Sequence, residues 1–90
     1  MGAVWLRVCD APSPDAPAVA YAVTRATGGA VDRNRVKRRL RAAVARHHGQ
    51  LTAGTAYLFG GDHRVLHAPF ATIDRAVGEL VRAVGEVTSA

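Results

Sequence analysis

Apolar and polar positions alternate in two short stretches early in the chain and then change to a helical period. At residues 4–9, Val4, Leu6 and Val8 share one parity and Trp5, Arg7 and Cys9 the other, which predicts a strand with one apolar face. Residues 10–17 carry all but one of the chain's four prolines and read as a loop. A second strand is predicted at about 19–25, with Val19, Tyr21 and Val23 on one face and Ala20, Ala22 and Thr24 on the other. A single loop joins these strands, so they are expected to pair side by side and antiparallel. In both, the bulky apolar face suits a core and the other face is free to meet something else.

Gly28-Gly29 permits a tight turn, and from about 31 to 48 Val36, Leu40, Ala43, Val44 and His47 recur at helical spacing. Gly49 is a natural stop for that helix, and His47 and His48 suit its C-terminal dipole. Residues 55–59 predict a third strand, closed by Gly60-Gly61-Asp62. Pro69 fits a helix start, and Phe70, Ile73, Val77, Leu80, Val81 and Val84 form the stripe of a last helix that Gly78 weakens a little. Residues 88–90 are expected to fray. The order β-β-α-β-α predicts an α+β fold, a two-layer α/β sandwich with both helices on one face of a small sheet.

Ninety residues suit one domain, 1–90, with a limited core. With 49% apolar and 21% charged residues the chain reads as globular, and no apolar run approaches the roughly 20 residues of a membrane span. The opening residues make a poor signal peptide, and the single Cys9 cannot form an internal disulfide, which fits a cytoplasmic protein. Charge sharpens this picture. The whole chain carries +5, yet residues 31–48 alone hold Arg33, Arg35, Lys37, Arg38, Arg39, Arg41 and Arg46 against one acid, Asp32. Arg33, Lys37 and Arg41 repeat at i, i+4, i+8 and stack in one stripe, Asn34 and Arg38 lie beside it, and Arg35, Arg39 and Arg46 extend charge round the flanks. Cation runs on helices are ordinarily solvated faces paired with acids at i±4, and this helix has almost no such acids. Left unpaired, the charges repel, so they point to a polyanion, with arginine forks matched to phosphates.

Residues 28–41, Gly-Gly-Ala-Val-Asp-Arg-Asn-Arg-Val-Lys-Arg-Arg-Leu-Arg, resemble the signature of the bacterial ribonuclease P protein family, Gly-x-Ala-Val-x-Arg-Asn-Arg-x-Lys-Arg-x-x-Arg. Thr24-Arg25 stands where that family has Ser-Lys, while Ala26 and Thr27 depart from its Lys and Val. The resemblance extends more weakly from Val4 to about Gly85. It implies a small mixed sheet, ribosomal protein S5 domain 2-like, with a left-handed βαβ crossover. It also implies a protein subunit, one copy in the ribonucleoprotein, that binds a catalytic RNA and the 5′ leader of precursor tRNA. The RNA, with Mg²⁺ bound mainly by it, would hydrolyse the phosphodiester bond, and the protein would supply no catalytic residue and no metal ligand. By position Arg33, Asn34, Arg35, Lys37, Arg38 and Arg41 match the RNA-binding motif. The leader cleft would fall on Trp5, Arg7, Ala22, Thr24 and Arg25, with Trp5 for stacking and Arg7 for a phosphate. Family members normally begin with a basic, aromatic-bearing helix and a further strand before the segment matching Val4. Neither is present here, which suits a natural short form, a fragment or a misplaced start, and bears on the leader more than on the catalytic RNA.

Other chemistry is thinner. His63 and His67 are four apart, but Gly60-Gly61 and Pro69 around them suggest a loop without the further ligands zinc needs. His47 and His48 read as a helix end near RNA phosphate. Cys9 has no identifiable base, and Asp62, Asp74, Glu79 and Glu86 are scattered. The alternatives are a non-catalytic ribosomal-type RNA-binding protein and a domain that lays the basic helix in a DNA major groove.

Overall fold

The computed structural model describes residues 2–24 and 27–88; Arg25, and the Ser89 and Ala90 of the expected frayed end, lie outside them. The elements are β1 (Val4–Asp10), β2 (Ala18–Ala22), α1 (Ala30–Arg46), β3 (Thr55–Gly61), α2 (Arg64–His67) and α3 (Phe70–Thr88), with a 3₁₀ turn, His48–Gln50, after α1. The sheet order is β1-β3-β2, which corrects the expected β1–β2 pairing. Strand β3 lies between them, antiparallel to β1 (Leu6 opposite Phe59) and parallel to β2 (Tyr21 opposite Phe59).

The physical reason lies in both connections. A helical crossover such as α1 can return the chain parallel to β2, which a tight turn cannot. The proline-bearing loop between β1 and β2 is long enough to straddle a strand, and it is tied to the turn before β3 by Ala11 N–H to Gly54 O (2.9 Å) and Gly54 N–H to Ala16 O (3.3 Å). Strand β3 also has the sequence for the centre, since Thr-Ala-Tyr-Leu-Phe-Gly-Gly holds no charge. The short helix α2 replaces the loop expected around His63 and His67, and just before it the Asp62 Oδ1 accepts the Arg64 N–H at 2.9 Å.

All three helices pack on the sheet face that carries Val4, Leu6, Tyr21, Tyr57 and Phe59. Phe59 is fully buried, with Tyr21 and Tyr57 stacked at centroid distances of 6.2 Å on either side. Val36, Leu40, Ala43 and Val44 of α1 and Ile73, Val77 and Val81 of α3 complete the core with Val65. The buried Tyr57 hydroxyl accepts the Thr52 N–H at 2.9 Å, so it is not left unpaired. Gly61 lets α2 come close: a Cβ there would stand 2.8 Å from Val65 Cγ2. The layer does not reach the far end of β1, where Val8 shares the inner parity but is 45% exposed.

Truncating the centre of this core should therefore cost far more than truncating its edge. Leu40→Ala is expected to lower the unfolding free energy by about 2–5 kcal/mol. Val8→Ala should stay within about 1 kcal/mol, because most of that side chain is already solvated. Urea denaturation followed by circular dichroism measures both.

Candidate nucleic-acid interface

Burial of Val36, Leu40, Ala43 and Val44 sets the rotation of α1, and everything polar on the helix follows from it. One flank, toward β2, carries Arg33, Lys37 and Arg41; the outermost ridge carries Asn34 and Arg38; the opposite flank, toward α2 and α3, carries Arg35, Arg39 and Arg46. Asn34, Lys37, Arg38 and Arg41 line one shallow depression of about 330 Å³. Four of the six motif positions predicted to bind RNA thus come together, with Arg33 half-buried on one side and Arg35 exposed on the other.

Two of the seven cations are used by the fold itself. Arg46 Nε donates to Asp74 Oδ1 of α3 at 3.0 Å. Arg39 Nη2 donates to the Ala68 carbonyl at 2.5 Å, at the corner between α2 and α3. Expecting all seven to be unpaired was an overcount, because partners some 28 residues away in sequence leave no i±4 signature. Among the described residues no ion pair reaches Arg33, Arg35, Lys37, Arg38 or Arg41. Arg41 lies over the Tyr21 ring, 5.5 Å from its centroid, which holds the guanidinium on the β2 flank without neutralising it. Burial pushes the Tyr21 hydroxyl above the usual tyrosine range, against a smaller opposing pull from Arg41. It stays protonated at neutral pH.

Like charges one turn apart, such as Arg33–Lys37, Lys37–Arg41 and Arg35–Arg38, cost a few tenths of a kcal/mol each, roughly 0.2–0.5. Burying Val36, Leu40 and Val44 contributes about 1.5–3 kcal/mol per side chain. Packing outweighs the repulsion, so the helix holds five uncompensated cations in place.

His47 keeps the inward place its helical spacing predicts and is not free to meet a phosphate. Instead of meeting solvent at the helix end, its ring lies against Gly78 of α3, where a Cβ would stand 2.7 Å from Cε1. Its Nε2 is 3.0 Å from Asp74 Oδ1 and 3.1 Å from the Asp74 carbonyl, both acceptors, which places the proton on Nε2. Gly78, read as a weakness in the last helix, is what admits that ring. His48 remains exposed. Elsewhere Arg64 clips Asp62 at 2.6 Å and the Gly2 carbonyl at 3.0 Å, and its hydrogen bond holds the Asp62 carboxyl below the usual carboxylate range. Among the described residues no three His, Cys, Asp or Glu side chains are grouped so that they could hold a metal ion.

The opposite face of the sheet carries Trp5, Arg7 and Cys9 of β1, Ala56, Leu58 and Gly60 of β3, and Ala18, Ala20 and Ala22 of β2. The Trp5 indole lies flat over Gly60, leaving no room for a Cβ there, and remains 38% exposed. Arg7 stands with its guanidinium 5.5 Å from the indole centroid. Ala22 is paired to Gly60 from the other side, so Trp5 and Ala22 flank the same glycine across three strands. Thr24 is exposed just past the end of β2, which stops at Ala22 and not near residue 25 as expected. Of the predicted leader residues, Trp5, Arg7 and Ala22 therefore share one face, and Arg25 falls outside the described residues.

A small sheet with a layer of helices on one face, the outermost side of α1 carrying cations without an ion pair among the described residues, and an aromatic–arginine pair on the other face define a two-layer α/β domain with a cationic helix. A protein-family model described as "Ribonuclease P" matches residues 3–85. The chain belongs to that family. It is 35% identical over 77 residues to the ribonuclease P protein component of Brucella suis, covering 84% of this chain and 55% of the relative. With that of Bartonella quintana it shares 42% identity over 73 residues, 80% of this chain and 53% of the relative. The chain thus spans about half the length of the curated relatives it matches. Its fold is similar to the RNase P protein of Staphylococcus aureus (TM-score 0.72, 17% identity, 91% of this chain and 74% of that one). The Thermotoga maritima RNase P protein gives a TM-score of 0.75 at 20% identity, over 91% and 78% of the two chains.

The Trp5–Gly60 contact can be checked directly, since the chain has one tryptophan. Gly60→Ala should lift the indole off the sheet, shifting its emission to longer wavelength and raising acrylamide quenching, with the far-ultraviolet circular dichroism unchanged. An unaltered emission spectrum would contradict the placement.

Proposed function

We propose that this chain acts as the protein subunit of ribonuclease P, assisting removal of the 5′ leader from precursor tRNA. The observation that carries the reading is the set of five cations on α1 that a buried seam turns outward and that no acid among the described residues pairs with. Arg33, Asn34, Arg35, Lys37, Arg38 and Arg41 dock the catalytic RNA: the arginine forks take phosphates, and Asn34 can both give and accept hydrogen bonds at a base edge or ribose hydroxyl. The open sheet face receives the leader, with a base stacked on the Trp5 indole, a phosphate at Arg7, and Ala22 and Thr24 leaving room for the strand. Arg25 belongs to this cleft by its place in the sequence. In this reading one copy of the protein joins the ribonucleoprotein in the cytoplasm, and breaking the phosphodiester bond belongs to the RNA. Mg²⁺ in this reading is bound mainly by the RNA.

Reconstitution tests this. Added to ribonuclease P RNA at low Mg²⁺, the protein should raise cleavage of precursor tRNA at the leader junction. A chain that binds RNA but leaves cleavage unchanged would instead be a ribosomal-type binder. Neutralising about five phosphates should give a log–log salt slope near −4, and a slope near −1 would mean the helix face is idle. Arg38→Ala should weaken binding and flatten the slope by about 1 while leaving the circular dichroism spectrum intact.

A further inference from the structure

A groove of about 640 Å³ runs between α1, α2 and the first turn of α3, on the flank of α1 away from β2. Its size falls within the roughly 300–1,000 Å³ of small-ligand sites. One wall is cationic, formed by Arg35 and Arg38, both exposed and without an acidic partner among the described residues. The facing wall is apolar and aromatic, formed by Leu66 and Phe70, with exposed His67 between them in sequence. Phe70 opens the apolar stripe of α3, yet it is 36% exposed, so the core does not use the whole ring.

The two walls are held in register by Arg39. Its guanidinium crosses from α1 to the Ala68 carbonyl, fixing the corner from which Pro69 starts α3 and Phe70 projects. Arg39 itself contributes to the lining of the groove. Arg38 belongs both to this groove and to the outer ridge with Asn34, Lys37 and Arg41, so the surfaces are continuous.

We propose that this groove seats a single unpaired nucleotide of the catalytic RNA, its base on Phe70 and Leu66 and its phosphate between Arg35, Arg38 and His67. The proposal rests on the reading of the chain as a ribonuclease P subunit and adds to the motif positions Arg35 and Arg38 a facing wall, Leu66, His67 and Phe70, that lies outside the motif. Paired guanidiniums beside a flat aromatic match a nucleotide's two halves, the anion and the π face. A base within an A-form helix cannot reach such a wall, so the occupant is a bulged or loop nucleotide splayed from its neighbours. Asp32, the acid in the lining, repels phosphate and accepts N–H donors, so it favours a base edge at its end of the groove. The site adds base stacking to the phosphate contacts and the Asn34 hydrogen bonds by which the helix takes its position on the RNA.

The test titrates ribonuclease P RNA with the wild-type chain and with Phe70→Leu, Phe70→Trp, His67→Ala and Arg38→Ala, with dimethyl sulfate probing of the RNA. Phe70→Leu should weaken binding at least about fivefold with an unchanged salt slope, since stacking and not charge is lost, and Phe70→Trp should restore it. The wild-type chain should protect one unpaired base that Phe70→Leu leaves reactive. Should Phe70→Leu melt early, His67→Ala, a change at an exposed side chain, must itself weaken binding and loosen that protection. Arg38→Ala separates the two levels: weakened binding there with neither Phe70→Leu nor base protection showing an effect overturns the nucleotide site alone. No effect from Arg38→Ala and no RNA affinity overturn the function on which the site rests.

Discussion

The structure depends on the burial of one seam of α1, Val36, Leu40, Ala43 and Val44, against the fully buried Phe59 of the central strand. That contact is non-directional in its chemistry but decisive in its geometry, because a helix with one buried stripe has only one rotation. Once the rotation is set, each cation has its direction, and the helix cannot turn them toward one another's neutralising partners. The cost of holding like charges along one helix is small beside the apolar area the seam removes from water. A core contact thereby supports a surface that would be unfavourable in isolation.

The same helix is anchored at its other flank by polar contacts, and these divide its cations by role. Arg46 and His47 converge on Asp74, and Arg39 reaches the Ala68 carbonyl, so the C-terminal half of α1 is tied to α3 and to the corner before it. Gly78 belongs to this arrangement, since any side chain there would collide with the His47 imidazole. Cations toward the N-terminal half, together with Arg41, have no ion pair among the described residues. Charge on α1 is thus divided between cations tied to the fold and cations without such a tie, and the outer face is firm because its back is pinned.

The open side of the sheet follows a different logic. It is lined largely by alanines and Gly60, with Leu58 among them, and the Trp5 indole rests on the glycine backbone with Arg7 beside it. A shallow floor of small residues with one aromatic plate and one cation can take an extended strand, whereas the helical layer closes the opposite face. The two faces of one three-stranded sheet thus divide the work of the fold, one holding the core and the other remaining accessible.

By itself the sequence determined the three strands, the two long helices, the two-layer class and the cationic character of α1, because periodicity, glycine stops and clustered charge are local properties carried by neighbouring residues. The parity of β1 likewise placed Trp5 and Arg7 on the face away from the core before any strand was paired. Tertiary structure alone decided that β3 enters between β1 and β2, since a strand's partners depend on how α1 returns the chain and not on the loop joining two consecutive strands. It also decided that Arg39, Arg46 and His47 serve the fold and that Phe70 faces Arg35 and Arg38 across a groove. Those residues stand some thirty positions apart, and only packing brings side chains so distant in the chain within reach of each other.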